Sequence, residues 1–520
     1  MIDPLAAMSD FSRFLAANRD LRRQFTTAEP TGLAVIEANQ SHVFYLYSVL
    51  KIGGIFAHLQ GLRPVLYPPI RCGHKQRRIV ASLAYDVVAS RLLFARYALQ
   101  KLPGILRTVS TLHTRRDVVS LSVNGISIGP YVFDAIYRPG MRAISLMQRI
   151  QLCYLLVCHW MDRRVIDRPE VKLVVIGDPG HRTGMLFALC RTRGIKCINA
   201  INPDIFQMHK YYTPGEFNRQ FRDVPDDLIA TLEKRSDIPE RVNRYLDKRF
   251  QGAVVQHDVL RAYASHKLTR TRDELMADYG LTHALPIIFV MAHVFSDMPH
   301  TYAGMLYTDY EEWLQQTVLA LARNRHINFL VKEHPTADLY AESGKVGYLL
   351  NAIGQRHRLL QSNVHTQTVL SNAAAIVTCG GTIGIEASVR GIPAVLAARP
   401  PYSGKGFTRE HDTIADYEGY LASGIERSAP LTDPQVRRAK NVAYVMFELF
   451  DNDGRSMETG GVPNIWGTPY DEEAFYRGVV AESAVPVVEQ RIYAAIKRFE
   501  NTPDTSMINH HKLNTPPSIS

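Results

Sequence analysis

The sequence contains no apolar run of 18 residues, no CxxC pair and no basic stretch interleaved with stacking aromatics. The first absence excludes an ordinary membrane-spanning helix; the apolar cluster LCYLLVCHWM at residues 152–161 is too short and too polar at its flanks. The six cysteines, Cys72, Cys153, Cys158, Cys190, Cys197 and Cys379, are scattered. Without paired spacing they read as free thiols of a reducing compartment, not as a zinc site. The third absence argues against nucleic acid as a partner. The opening MIDPLAAMSDFSRF carries acids and lacks a charged start before a long apolar run, so no secretory signal is expected. No DxD-like metal site is evident, and no metal or cofactor is expected. The expected setting is cytoplasmic.

Acids are also scarce locally. Residues 61–116 hold eleven Lys or Arg and one acid, Asp86, within a net charge of +10. Residues 81–102 read as one helix, carrying Arg91, Arg96 and Lys101 among apolar positions. Two readings stay open: a core helix with a solvated basic edge, or contact with an anionic membrane surface at the inner membrane face.

With 520 residues, 46 % of them hydrophobic, the chain is too long for one core and has the composition of a globular protein. The pattern is α/β. KLVVIGDPGHRTGMLFALCRTRGIKCINA (172–200) gives strand, turn, helix and strand, a unit that implies a parallel sheet. Asn124-Gly125 predicts a tight turn between short extended runs. Residues 218–276 look helical, with a boundary near 279–285. Beyond it, strands near 285, 327, 375 and 394 alternate with helices, the one at 309–325 with Asp309 as N-cap. The predicted organisation is therefore an N-terminal Rossmann-like domain over 1–280 with a helical insertion, a C-terminal one over 281–483, a closing helix at 484–500 and a disordered tail at 501–520. The two domains are expected to face a central cleft.

In such sheets ligands sit beyond the carboxyl ends of the strands, so the post-strand loops hold the candidates. In VTCGGTIGIEASVRGIPAVLAARPPYSGKGFT (377–408), Gly380 and Gly381 let backbone approach a ligand. Thr382 is placed to cap a helix whose first amides suit phosphate, and Glu386 to accept from a ribose or sugar. The alternative is a glycine turn serving tight packing. KEHP adds Lys332 and His334, AHVFSD adds His293 and Asp297, and RPPYSGKGFT adds Lys405 on a flexible basic loop, a lid or acceptor contact. In the first half, GDPGHRTG offers Asp178 as general base or nucleophile, His181 as an alternative base and Arg182 as an anion contact. The competing reading is an Asp that caps the helix beside a surface Arg.

His334-Pro335, then Gly381-Thr382-Ile383-Gly384-Ile385-Glu386-Ala387, Gly391-Ile392-Pro393 and residues 402–408 resemble the bacterial capsule polysaccharide biosynthesis family, which includes β-Kdo transferases. The resemblance covers roughly 287–408. It implies a GT-B fold, a nucleotide-activated sugar held mainly by the C-terminal domain through His334, Thr382 and Glu386, no metal, and a capsule or lipopolysaccharide glycan or glycolipid as acceptor. Lys405 stands where the family commonly has an apolar or aromatic residue. The alternatives are a nucleotide-sugar 2-epimerase, a CDP-glycerol-type phosphotransferase, or a non-catalytic sugar-nucleotide-binding subunit.

Overall fold

The computed structural model describes residues 9–24, 29–38, 43–67, 73–83, 85–88, 91–201, 207–219, 222–251, 263, 267–301, 304–450, 472–483 and 486–514. The chain forms two compact units. One comprises Met1–Ile136, Arg142–Arg219 and Phe450–His510; the other comprises Tyr137–Met141, Gln220–Leu449 and His511–Ser520. The boundary expected near 279–285 thus falls near 220, and Phe450–His510 return to the first unit instead of closing the second.

The first unit is built on β1 (Leu33–Glu37), β2 (Arg63–Tyr67), β3 (Asp86–Val87), β6 (Val171–Ile176), β7 (Lys196–Ile201) and β8 (Gln207–Tyr211), in the order β3-β2-β1-β6-β7-β8. All neighbours pair in parallel except β7 with β8. Residues 33–36 of β1 and 173–176 of β6 are continuous buried apolar runs, as strands covered on both faces must be. The order of the chain reverses between β1 and β6, so the switch point of this sheet lies at their carboxyl ends. A small hairpin joins β4 (Ser122–Val123) to β5 (Ile126–Ser127). Its Asn124 and Gly125 have φ of 50° and 76°, the left-handed pair that a type I′ turn requires.

Two expectations for this unit are corrected. The single helix expected over 81–102 is divided: one helix ends at Leu83, β3 follows, and another runs from Arg91 to Ser110. Asp86 and Val87 pair instead with Val65 and Leu66 at the sheet edge, where a β-branched residue is at home. The tail expected to be disordered is ordered to Asn514. Thr505 to Asn509 are buried against β8, the outer strand of the sheet. Lys210 N–H donates to Thr505 O at 2.8 Å, Met507 N–H to Met208 O at 2.9 Å, and His209 Nδ1 lies 2.8 Å from Ser506 Oγ. Polar composition suggested disorder, but the segment finds its partners on an edge that would otherwise expose unpaired backbone.

The second unit carries β9 (Ile287–Met291), β10 (Asn328–Lys332), β11 (Ala375–Thr378), β12 (Ala394–Leu396) and β13 (Thr408–Arg409) in the parallel order β10-β9-β11-β12-β13. The switch point lies between β9 and β11. Met291 is level with Lys332 on one side and Thr378 on the other, so three strands end in register. Helix Tyr310–Ala322 begins at Asp309, whose side chain accepts from Glu312 N–H at 2.8 Å, as its sequence predicts. Trp313 Nε1 donates to the buried Tyr417 hydroxyl at 3.0 Å and fixes this helix against Ile414–Ser423.

Lys210 ties the tail to its helix. Its Nζ donates to Phe499 O at 2.7 Å and Glu500 O at 3.2 Å, and also to Thr502 O. Lys210→Met would leave these carbonyls without their donor, so a loss of about 2–4 kcal/mol is expected. A denaturant melt followed by circular dichroism measures it, and an unchanged midpoint would show that water replaces the amine.

Candidate functional site

Because β9, β10 and β11 end level, their next residues share one edge. His293, His334 and Gly380 each stand two positions beyond the aligned Met291, Lys332 and Thr378. His293 is central. Its ring stacks on Tyr310 with centroids 4.3 Å apart and meets Trp313 edge-on at 5.9 Å. Its Nε2 accepts from Gly380 N–H at 3.2 Å, which places the ring proton on Nδ1. Burial, with His334 nearby, pushes its pKa down to about 3. His293, a candidate contact for an acceptor substrate or an anion, is therefore a neutral hydrogen-bond acceptor that holds the glycine loop. Thr378 Oγ1 assists, lying 3.2 Å from His293 Nε2 and accepting from Gly381 N–H at 3.3 Å.

The amides of Gly380 and Gly381 are thus used by the protein. Those of Thr382 and Ile383 find no acceptor among the described residues. Thr382 is exposed, but its side chain makes no cap hydrogen bond, contrary to expectation. Its φ and ψ of −58° and −21° are already helical, whereas a capping side chain needs extended backbone. Gly384 serves packing: a Cβ there would lie 2.3 Å from the Tyr402 hydroxyl, which donates to Gly381 O. The half-buried His334 accepts from Thr336 N–H at its Nδ1, 3.3 Å away, so its proton sits on Nε2.

Three other candidates are placed differently from their expected roles, and a fourth, Asp297, keeps its place at the edge. Glu386 is 3 % exposed; Oε1 lies 2.8 Å from Arg249 Nε, and Oε2 accepts from Tyr263. Both oxygens are engaged inside the protein, so it is not poised for a sugar. Burial and the Glu386 charge hold the Tyr263 hydroxyl well above its ordinary pKa, keeping it a donor. Lys332 is buried, with Nζ donating to Val364 O at 2.6 Å. Burial, and then Lys267, lowers its pKa to about 7, so it is a weak phosphate partner. Lys405 does not ride a loose loop: Nζ sits 3.4 Å from both Asp223 and Asp226, and Arg438 Nε donates to its carbonyl at 2.8 Å. Asp297 stays half-buried at the edge, accepting from Tyr340 at 3.1 Å, while Glu342 accepts the amides of Phe295 and Ser296.

In the first unit GDPGHRTG lies at the β1–β6 switch point, as a functional loop should. Asp178 is half-buried, and its Oδ1 accepts from Gly180 N–H at 3.1 Å. It organises its own turn, and Gly180 is the N-cap. His181 is exposed with φ of 47°. Arg182 is not an anion contact: it is buried, 2.8 Å from Asp162 Oδ1 and 3.1 Å from the Tyr67 hydroxyl. Burial raises the Asp162 pKa, and the Arg182 charge opposes the rise.

Sequence reasoning missed Arg249, Tyr263, Thr378 and Glu342. Arg249 is 137 positions from Glu386, so no local pattern links them. Tyr310, also missed, stands beside the recognised cap Asp309, and Thr378 closes a strand read from the sequence. Among the described residues no group of three His, Cys, Asp or Glu side chains is arranged to hold a metal ion, and no helix is long and apolar enough to cross a membrane.

Residues 236–421 match the family described as capsule polysaccharide biosynthesis protein, so the resemblance read from the motifs holds over that segment. No curated protein matches the chain. Among solved structures, KpsC of Thermosulfurimonas dismutans, a β-Kdo 2,4-transferase, is similar at 12 % identity over 53 % of this chain and 80 % of that one, with a TM-score of 0.31. The β-Kdo 2,7-transferase of the same organism's KpsC gives 14 % identity over 54 % and 79 %, with a TM-score of 0.29. S. aureus MnaA, in a co-structure with UDP, gives 11 % identity over 84 % and 99 %, with a TM-score of 0.26. Likenesses this slight assign neither fold nor activity.

The Arg249–Glu386 pair predicts a stability effect where a sugar contact would predict a binding effect. Glu386→Gln leaves a buried guanidinium without its counter-charge and is expected to cost about 3–5 kcal/mol. An unaltered urea midpoint would sink the structural assignment. His293 predicts a pH effect. The unfolded chain takes its proton near pH 6.5 and the folded one only near 3, so stability is complete at neutral pH and falls as pH drops through that window. His293→Asn should flatten the loss between about pH 7 and 5 by roughly 2 kcal/mol, read from urea midpoints at the two pH values.

Proposed function

We propose that the protein is a GT-B-type glycosyltransferase that moves a sugar from a nucleotide-activated donor to a capsule or lipopolysaccharide glycan or glycolipid. The observation that carries this reading is that the segment matched to the capsule family, residues 236–421, contains the whole switch-point edge on which His334, Gly381 and Thr382 converge.

The proposed chemistry is modest. The donor phosphate meets the Nε2–H of His334 and the open backbone at Thr382 and Ile383. These preorganised donors stabilise charge as the leaving group departs. Lys332 and Glu386 support the edge from beneath. No metal is invoked in these steps; backbone N–H dipoles and the N–H of a neutral imidazole face the developing charge.

Melting the protein with CMP-, UDP-, GDP- and dTDP-sugars tests the reading. One nucleotide class should stabilise it, by about 2.7 kcal/mol at a hundred times its Kd. His334→Ala should weaken that ligand about tenfold or more, the loss of one charge-assisted hydrogen bond. Stabilisation by none of the four classes would overturn the donor-binding assignment. Turnover of the donor without any acceptor would instead favour an epimerase.

A further inference from the structure

Helix Arg91–Ser110 presents two unlike faces. The inner one packs on helix Leu146–Ile166: Phe94 meets Tyr154 with centroids 6.1 Å apart, and the Lys101 amine sits 4.3 Å above the Trp160 ring. Ile105 and Val109 on this face are 2 % and 4 % exposed. The outer one is apolar yet uncovered. Leu92, Leu99, Leu102 and Leu106 are 84 %, 74 %, 40 % and 52 % exposed. Their spacings of seven, three and four place them on one stripe. Exposed Arg96 and Arg107, eleven positions apart, run along its flank. Arg149 Nη1 donates to Val109 O at 2.7 Å, which sets the first turn of the neighbouring helix at this end. That turn adds Leu146, Met147 and Ile150, exposed by 75 %, 64 % and 56 %.

We propose that this face docks on an anionic lipid bilayer, lying in the interface without crossing it. Charge complementarity selects the occupant: Arg96 and Arg107 border the stripe, and residues 87–116 contain no acid to oppose them. A row of protruding leucines beside guanidinium groups suits a soft surface with an acyl interior and phosphate headgroups. Contiguous apolar protrusion of this extent is unusual on a monomer without a partner surface. The proposal rests on the first unit alone and is independent of the donor assignment.

Vesicle flotation of the full chain tests it, with phosphatidylcholine alone and with about a third phosphatidylglycerol added. The chain should bind the anionic vesicles about tenfold or more tightly than the neutral ones, and high salt should release it. Arg96→Gln with Arg107→Gln should weaken anionic binding by roughly tenfold or more. Leu92→Ser, Leu99→Ser and Leu106→Ser together should abolish it. Both variants alter exposed side chains and should keep the parent melting temperature. Equal binding to the two vesicle types, no binding, or full binding by the leucine variant overturns the proposal. So does a change in solution mass in the leucine variant, which would mark the face as a contact between copies of the chain.

Discussion

The alignment of Met291 with Lys332 and Thr378 is the constraint on which the candidate site depends. Parallel strands spaced about 4.8 Å apart bring the residues beyond their ends within reach of one small ligand only if they terminate at the same level. A slip of one residue in any of the three would turn its side chains to the opposite face. The register is specified by burial: every residue from Ile287 to Val290, and from Asn328 to Lys332, is enclosed. The core of the sheet thereby places His293, His334 and Gly380 with no loop contact required to do so. The loop contacts, His293 and Thr378 to the glycine amides, then refine a placement already made.

Burial also sorts the candidates by role. A charge removed from water costs several kcal/mol unless it is paired or neutralised. Glu386 is paired with Arg249, Arg182 with Asp162, and Lys405 with Asp223 and Asp226. Lys332 donates to a carbonyl and holds its proton weakly. What keeps exposure at the edge of the second unit is Thr382 and, in part, His293, His334, Gly381 and Asp297. The two kinds of residue share motifs, so the motifs describe a functional surface together with the frame beneath it.

Legibility in the sequence followed the range of the interaction. The β6–helix–β7 unit, the Asn124-Gly125 turn and the Asp309 cap were readable because each is decided within a few residues. So was the sharing of one sheet edge by the post-strand loops, which follows from strands alternating with helices. The return of the chain after 450 to the first unit was not readable, nor was the docking of Thr505 to Asn509 on β8. Those depend on a partner far along the chain that composition does not name. The division of the expected 81–102 helix had a local sign, the β-branched pair Val87-Val88, but its weight came from the edge of β2. The chemistry of Glu386 was obscured for the same reason, since Arg249 and Tyr263 reach it only after folding.

A common device joins the two units. In each, a strand at the switch point leads through a glycine-bearing turn into a helix. In each, a charged side chain of that helix's first turn points inward to a buried partner: Arg182 to Asp162 in one, Glu386 to Arg249 in the other. Such pairs add little net stability, because desolvation offsets most of their attraction. Their effect is directional. Removing either partner strands a charge, so each helix has one favourable depth and rotation over its sheet. The amides ahead of it, at Thr382 and Ile383 in the second unit, are then held in place by charge balance behind them. An anion-binding edge requires donors that do not rearrange when the ligand arrives, and a buried ion pair one turn away supplies that fixity without occupying the edge itself.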